Sequence, residues 1–251
     1  MGGLLQVSLA QLAKTSYIGS MSARIRYVVP LQQADEDRLE LVGMRSAYLG
    51  SLLRSGFSIP DGFVITTEAF SSIMTPVSSD QDSIEWRLPP ELPKEFIADV
   101  MKAYDRLGDR VPVAVRVSPT VASTIRVGNQ IRPQDFLGIT GEANLFESIK
   151  QVWIAFQEKA SSIARINPTK ISATPSCAIL IQRVVSSQVS GVATSSDPIT
   201  GRKDHVVIEA VWGLDEKIEN ETVVPDRYIF DVKAKQVIED THTVQRKQLQ
   251  L

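Results

Sequence analysis

Three carboxylates in the last third of the chain have a spacing that suits metal binding. Glu209 interrupts an apolar run at residues 206–212, Glu216 follows that run, and Asp226 comes after a proline further along. Magnesium in nucleotide sites is held by a few carboxylate oxygens together with phosphate oxygens. These acids therefore predict a magnesium–nucleotide site with Glu209, Glu216 and Asp226 as ligands. The alternative for Glu216 is a solvated acidic helix, whereas Glu209 has apolar neighbours on both sides.

Two arginines in the first half of the chain suit phosphate binding. Arg45 lies in the segment VGMRSAYLG at residues 42–50, at the start of a predicted helix, and a cation beside a helix N-terminus favours a bound phosphate. Arg116 interrupts an apolar strand at residues 111–117, where a charge needs a partner or a wet cleft. The alternatives are a solvated first-turn residue for Arg45 and, for Arg116, a structural salt bridge or a water-facing place on the strand.

The elements that must position these side chains are mixed in the first part of the chain and mostly strands in the last part. Apolar periodicity predicts helices at residues 45–55, 68–74, 91–107 and 141–166. Short apolar runs predict strands at residues 27–31, 63–67, 111–117, 177–185, 190–195, 205–211 and 227–232. Proline-bounded and aperiodic stretches predict a loop at residues 75–90 and a loop or irregular strand at 118–140.

Composition indicates an ordinary globular chain without a strong charge. The 251 residues are 43% hydrophobic and 22% charged, which is enough for one large domain or two lobes. The net charge is −2, from 27 basic and 29 acidic residues. No global field therefore favours nucleic acid or an anionic membrane, and we expect neither as a partner.

Targeting and redox signals favour a cytoplasmic protein. No run of about 18 apolar residues is present, so no transmembrane helix is expected. The first residues lack the basic and apolar regions of a secretory signal. The single cysteine, Cys177, lies in an apolar run, so we expect a buried structural thiol in a reducing compartment.

Five motifs, taken in order, resemble the ATP-binding domain of the phosphoenolpyruvate synthase, pyruvate phosphate dikinase and rifampin phosphotransferase family. They are the segment at 42–50 with the following IPDGFVITTEAF, then VAVRVSPT at 113–120, the strand around Gln182, SGVATSSDPITGR at 190–202, and VIEAVWGLDE at 207–216 with the following PDRY. The resemblance covers roughly residues 36–240. Order and spacing over this length make it more specific than any single motif.

The resemblance implies an α/β (α+β) fold that is ATP-grasp-like, with two lobes and a nucleotide cleft between them. Residues 1–35 would be a variable leader and the first strand. Residues 36–180 would form the first lobe, and residues 181–251 a β-rich second lobe.

The resemblance also implies roles for the cofactor-binding residues, with ATP and Mg²⁺ as cofactors. Arg45 and Arg116 would hold phosphates, Gln182 would lie near the adenine, and Arg202 could reach a phosphate. The alternatives are an outward residue on an edge strand for Gln182 and an ordinary surface residue for Arg202.

Catalysis in such a site would consist of positioning and charge neutralisation. Arg116 and Glu216 would act in phosphoryl transfer, while Glu209, Glu216 and Asp226 would hold the magnesium ion.

The sequence departs from the family pattern at several positions near these motifs. Arg45 stands in place of the family's lysine, and Met44, Ser46 and Asp215 replace glycines. The acidic pair that follows the strand motif is Ser123–Thr124 here.

The family's phosphate-carrying histidine has no counterpart among the motifs of this chain. The two histidines, His205 and His242, lie outside the carrier pattern, and both are expected at the surface. Phosphate would then pass to a histidine on a separate partner chain, and the enzyme would be incomplete without it. The alternatives are a degenerate, non-catalytic relative that binds nucleotide weakly or serves as a regulatory or scaffold subunit, and a truncated remnant.

Overall fold

The computed structural model describes residues 26–78, 84–120, 135–166, 176–214 and 223–243. The chain forms two compact units, which divide between Arg183 and Val184. Helices and antiparallel sheets are both present, so the predicted mixed α/β class is confirmed. The division into lobes at residues 36–180 and 181–251 stays a prediction.

In its described residues, the first unit contains four helices and seven strands. The helices are α1 (Leu39–Arg54), α2 (Thr67–Ile73), α3 (Lys94–Asp105) and α4 (Glu142–Ile166). The strands are β1 (Val28–Pro30), β2 (Gly62–Ile65), β3 (Thr75–Ser78), β4 (Ile84–Arg87), β5 (Val113–Pro119), β6 (Phe136–Ile139) and β7 (Cys177–Arg183). Short 3-10 turns at Leu31–Gln33 and Glu36–Arg38 precede α1.

The main sheet of the first unit has the order β1-β2-β7-β5-β6, and β3 and β4 form a separate hairpin. On one face of the main sheet, alternate residues of β5 and β7 pack against Phe70, Phe96 and Trp153, which come from α2, α3 and α4. These three rings are fully buried, and each contributes about 1.5–3 kcal/mol by burial. The main core of the unit therefore lies between this face and these helices.

The other face of the main sheet is covered by α1. Val42 and Ala47 of α1 belong to a second apolar cluster with sheet residues that include Leu180. Arg116 is paired with Leu180 across the β5–β7 ladder, and residues opposite each other in a ladder share a face. The strand alternation therefore places Arg116 on the α1 face of the sheet.

The residues described in the second unit form a four-stranded antiparallel sheet with the order β11-β10-β9-β8. Its strands are β8 (Val189–Thr194), β9 (His205–Trp212), β10 (Asp226–Asp231) and β11 (Gln236–Thr241). Along β9, Val207 and Val211 are buried and Ile208 and Trp212 are exposed. This alternation is that of a sheet with one covered face.

Two predicted elements differ from those observed. Residues 75–90 are not a continuous loop, because β3 and β4 pair antiparallel within this stretch. β11 was not predicted at all. All six of its residues are exposed, so it has no apolar alternation to mark it, and it is held by its ladder to β10.

The predicted start of the first long helix also needs correction. Helix α1 begins at Leu39 rather than Arg45, with one non-helical residue, Gly43, inside it. The predicted start at Arg45 matches the segment that follows this break. Among the described residues, no helix has the length and apolar character needed to cross a membrane.

Candidate functional site

A backbone break at Gly43 sets the geometry around Arg45. Gly43 has φ 73° and ψ 161°, so the helical conformation stops there and resumes at Met44. A Cβ atom at this position would overlap the carbonyl oxygen and the hydroxyl of Ser118. Glycine is required both for the positive φ and for the close approach to β5.

The hydroxyl of Ser118 fixes the point at which the helix resumes. It accepts the backbone N–H of Ser46 at 3.0 Å and the Ser46 hydroxyl at 3.0 Å, and it donates to the carbonyl of Val42 at 2.9 Å. Ser46 and Ser118 are fully buried. Since Ser118 follows Arg116 by two positions on β5, this network fixes the helix start beside that arginine.

The two arginines predicted to bind phosphate meet at one carboxylate, that of Asp135. The Nη1 atom of Arg45 lies 3.3 Å from Oδ2 of Asp135, and the Nε atom of Arg116 lies 3.4 Å from the same oxygen. Burial raises the pKa of Asp135, while the Arg45 and Arg116 charges and the Val117 backbone amide act in the opposite direction. The structure thus brings the arginines together around an anion. Arg116 also forms a salt bridge, which is one of the alternatives that the sequence left open for this residue.

Asp135 was not predicted as a site residue. It lies at the end of the aperiodic stretch 118–140, just before β6. It is the only acidic residue of this stretch, but an isolated acid in an aperiodic segment does not show which side chains it contacts in the fold. Ser118 was part of a recognised motif, but its role depends on the contact with α1.

Gln182 lies on a central strand, because β7 pairs with β2 on one side and β5 on the other. The alternative of an outward residue on an edge strand is therefore wrong. Its Nε2 atom donates to the carbonyl oxygen of Pro60 at 3.1 Å, which fixes the orientation of the amide.

Arg202 forms a cluster with an acid and a lysine of the second unit. Its Nη2 atom lies 3.0 Å from Oδ2 of Asp204, and Lys233 reaches the same oxygen at 3.2 Å. Hydrogen bonds from Arg202 and then Lys233 hold the pKa of Asp204 well below its usual range. Half of the Arg202 side chain is exposed, so the alternative of a surface arginine describes its present environment.

The predicted metal ligands are separated by the strand register. Glu209 is paired with Arg227, and Asp226 is paired with Ala210. Because successive residues of a strand point to opposite faces, Glu209 and Asp226 lie on opposite faces of the sheet. Glu216 lies outside the described residues. Within the described ranges, no three His, Cys, Asp or Glu side chains come together as a cation site.

The environments of these two acids differ as well. The Asp226 carboxylate accepts hydrogen bonds from the Thr243 backbone N–H at 2.7 Å and from the Thr243 hydroxyl at 3.2 Å. These bonds attach the residues just after β11 to the start of β10. Glu209 is half-buried and has no hydrogen bond or ion pair through its carboxylate with any residue in the described part of the chain. Glu209 is thus the acid of this pair that is available to a metal ion.

A comparison with known protein families shows to which family this chain is related. Residues 77–251 match the family model described as pyruvate phosphate dikinase, AMP/ATP-binding domain. The chain belongs to this family. The resemblance stated from the motifs is confirmed, and Arg116, Gln182, Glu209 and Asp226 all lie within the matched span.

Two kinds of name occur among the curated relatives that match this chain. Phosphoenolpyruvate synthase of Aeropyrum pernix is 28% identical over an alignment of 242 residues, gaps included, which covers 85% of this chain and 30% of the relative. Rifampicin phosphotransferase of Streptomyces sviceus is 28% identical over an alignment of 248 residues, gaps included, which covers 89% of this chain and 28% of the relative. The chain therefore spans about 30% of the length of these relatives.

The histidines and the cysteine of this family member have contrasting environments. His242 is exposed, as predicted, but His205 is buried, so its prediction as a surface residue is wrong. It starts β9 on the same strand face as Val207 and Val211. Cys177 is buried as predicted, and burial raises the pKa of its thiol.

Among the departures from the family pattern, one has a visible structural contact and others lie in segments outside the described residues. Ser46, in place of a glycine, is buried in the hydrogen-bond network with Ser118, so this replacement has a structural role. Ser123–Thr124 and Asp215 lie outside the described residues.

Proposed function

We propose that this chain is the ATP-binding domain of a phosphoenolpyruvate synthase-like phosphotransferase. It binds Mg-ATP and passes a phosphoryl group to a histidine on a partner chain. Its fold is ATP-grasp-like, with the nucleotide between a first lobe at residues 36–180 and a second at 181–251. The observation that supports this most is the convergence of Arg45 and Arg116 on a single anion in a chain of an AMP/ATP-binding family.

The arginine pair supplies the phosphate-binding chemistry in this proposal. A guanidinium group presents several N–H donors in a plane, and it binds phosphate oxygens through paired, charge-assisted hydrogen bonds. The start of the resumed helix beside Arg45 adds backbone N–H groups and the positive end of the helix dipole. Arg116, which is less exposed than Arg45, stabilises the charge that moves between phosphate oxygens during transfer.

The metal role is assigned to Glu209 and Glu216, and it is withdrawn from Asp226. The half-buried Glu209 carboxylate fits a magnesium ligand because no described residue uses its oxygens. Magnesium needs only one or two protein carboxylates, since waters and phosphate oxygens complete its shell. The ion would neutralise phosphate charge, and Glu216 would act in transfer through it. Gln182 would contact the adenine, and Arg202 a phosphate.

Calorimetry with Mg-ATP tests the proposal. The wild-type chain is expected to bind with a dissociation constant in the range of about 1 μM to 1 mM, which is usual for enzyme substrates. Arg116→Gln is expected to weaken binding by roughly tenfold or more, because a charge-assisted hydrogen bond contributes about 1.5–3 kcal/mol.

Arg38→Gln is the matched control. Arg38 is a half-exposed arginine that pairs with Asp35 at 3.8 Å and lies outside the arginine pair at Asp135, so its replacement should leave the affinity unchanged. Absence of any heat with the wild-type chain at millimolar Mg-ATP would refute the proposal.

A second candidate function is a non-catalytic nucleotide-binding or regulatory subunit. One observation favours it: both arginines of the phosphate site are already ion-paired to Asp135, which reduces their attraction for a polyphosphate. Weak binding of Mg-ATP without phosphoryl transfer to a histidine-bearing partner would support this candidate over the first.

A further inference from the structure

The carboxylate of Asp135 lies where an anionic ligand of the arginine pair would lie. Its Oδ2 atom is shared by Arg45 and Arg116, and its Oδ1 atom is 3.5 Å from Arg45. Among the described residues, it is the only acid within ion-pair distance of either arginine. The anion in this structure is therefore supplied by the protein itself.

The pairing leaves the arginines incompletely satisfied. Charge-assisted N–H···O bonds are usually about 2.7–2.9 Å long, whereas the distances here are 3.3–3.5 Å. The Nε atom of Arg116 is buried and has no hydrogen-bond partner among the described residues. A second acceptor, or a better-placed one, would therefore complete the hydrogen bonding of this guanidinium.

Burial also disfavours the charged form of the Asp135 carboxylate. Its side chain is one-fifth exposed, and burial is the main cause of its raised pKa. A buried ion pair gains attraction but loses hydration, so its net contribution to stability is small. Replacement of this carboxylate by another anion at the two arginines therefore costs little free energy.

The position of Asp135 in the chain allows it to move. It precedes Phe136, the first residue of β6 that pairs with β5. It has no place in a strand ladder itself. Rotation of its side chain away from the arginines breaks no strand pairing, but it breaks the hydrogen bond that the carboxylate accepts from the Val117 backbone amide.

We propose that Asp135 is an internal competitor for the phosphate site, which sets the affinity of that site for polyphosphate. The ligand must displace the carboxylate from Arg45 and Arg116 before its own oxygens can bind them. This inference rests on the proposed phosphate-binding role of the arginine pair. It predicts that removal of the Asp135 charge, with little change in shape, strengthens polyphosphate binding.

The test compares Asp135→Asn with the wild-type chain in calorimetric titrations of Mg-ATP and of inorganic tripolyphosphate. The Asn variant is expected to bind both on the order of tenfold more tightly, since a charge of like sign within a few ångströms of the ligand is removed. Asp135→Ser is a second neutral variant for which the same gain is expected. Circular dichroism and thermal melts of the free proteins establish that each variant is folded.

Three further variants separate competition from general charge effects. Asp105→Asn removes the same charge at the exposed end of α3 and should leave both affinities unchanged. Asp135→Glu retains the charge and should show no gain. In the double variant Asp135→Asn with Arg116→Gln, the gain should be lost, because one of the two competing cations is absent.

The outcomes distinguish this inference from the proposed function. If the wild-type chain binds Mg-ATP and the neutral variants bind it no more tightly, the competitor role is overturned and ATP binding stands. If no protein binds Mg-ATP but the neutral variants bind tripolyphosphate more tightly than the wild-type chain, the competitor role stands and the ATP proposal falls. If none of them binds either compound, both are overturned.

Discussion

The backbone N–H of Ser46 donates to the hydroxyl of Ser118 at 3.0 Å, and this bond joins helix α1 to strand β5. Both residues are fully buried. Because Arg45 and Arg116 are close neighbours of these serines in the chain, the bond fixes the separation of the two cationic side chains. The polar contact between helix and sheet thus prepares the geometry of the anion site.

Ser118→Ala is expected to destabilise the first unit. The substitution leaves the Ser46 N–H buried without an acceptor, and an unsatisfied buried group costs about 1–3 kcal/mol. Chemical denaturation measures the change in free energy of unfolding. Ser148→Ala is the control, because the Ser148 hydroxyl only donates to a helix carbonyl of its own turn, that of Asn144. Equal losses for the two variants would contradict the capping role of Ser118.

Gly43→Ala is expected to cost more stability than Gly56→Ala, although both glycines have positive φ. A Cβ at Gly43 overlaps Ser118, whereas a Cβ at Gly56 meets nothing within 4 Å. Backbone strain alone costs about 1–2 kcal/mol, so the Gly56 variant should lose about that much. Overlap with buried atoms should add at least about 2 kcal/mol for the Gly43 variant. Thermal melts of the two variants measure the difference, and similar melting temperatures would contradict the close approach.

The magnesium dependence of ATP binding should respond to Glu209 and not to Asp226. Glu209→Gln is expected to weaken Mg-ATP binding on the order of tenfold while leaving magnesium-free ATP binding unchanged, because a ligand of the ion is lost. Asp226→Asn should retain the magnesium effect but lower the melting temperature, since it weakens the bonds to Thr243. Titrations with and without magnesium give both affinities. The reverse pattern would return the metal role to Asp226.

The stability of the second unit is expected to fall in acid. The Thr200 hydroxyl and the Ile199 amide lower the pKa of Asp197, and Arg202 and Lys233 lower that of Asp204. A carboxyl whose pKa is lower in the folded state stabilises the fold above its unfolded pKa, which is about 4. That stabilisation is lost as the pH falls below this value and approaches the folded pKa.

Amide hydrogen exchange of the β9 and β10 strands, measured between pH 6 and pH 2.5 or so and corrected for the intrinsic exchange rates, follows this loss. In the Asp204→Asn variant, the protection of these amides should fall less steeply with pH below about 4, because one of the titrating groups is gone. Exposed Asp240→Asn serves as the control and should keep the wild-type slope. If the amide protection of the wild-type chain does not change below about pH 4, Asp197 and Asp204 do not stabilise the second unit as predicted.

Much of the fold and part of the site followed from the sequence. Helix α4 was predicted nearly to its ends, because its apolar residues recur at a regular helical spacing over a long stretch. The strands with buried faces, such as β7 and β9, were also predicted. The exposed strand β11 was missed, since pairing through the backbone leaves no apolar pattern in the sequence. The hairpin of β3 and β4 was missed because its stretch is bounded by prolines, although Ile84, Trp86 and Leu88 alternate with charged residues and Trp86 and Leu88 pack against the main core.

The sequence by itself determined the family, the α/β class and the candidates Arg45, Arg116 and Glu209, because motifs depend on residue type and spacing. Only the tertiary structure decided that Asp135 pairs with both arginines and that Asp226 lies on the opposite sheet face from Glu209. The physical reason is that alternation along a strand is local, whereas the register between strands depends on packing and turn geometry elsewhere in the chain. A shift of one residue in that register would have put the two acids on the same face.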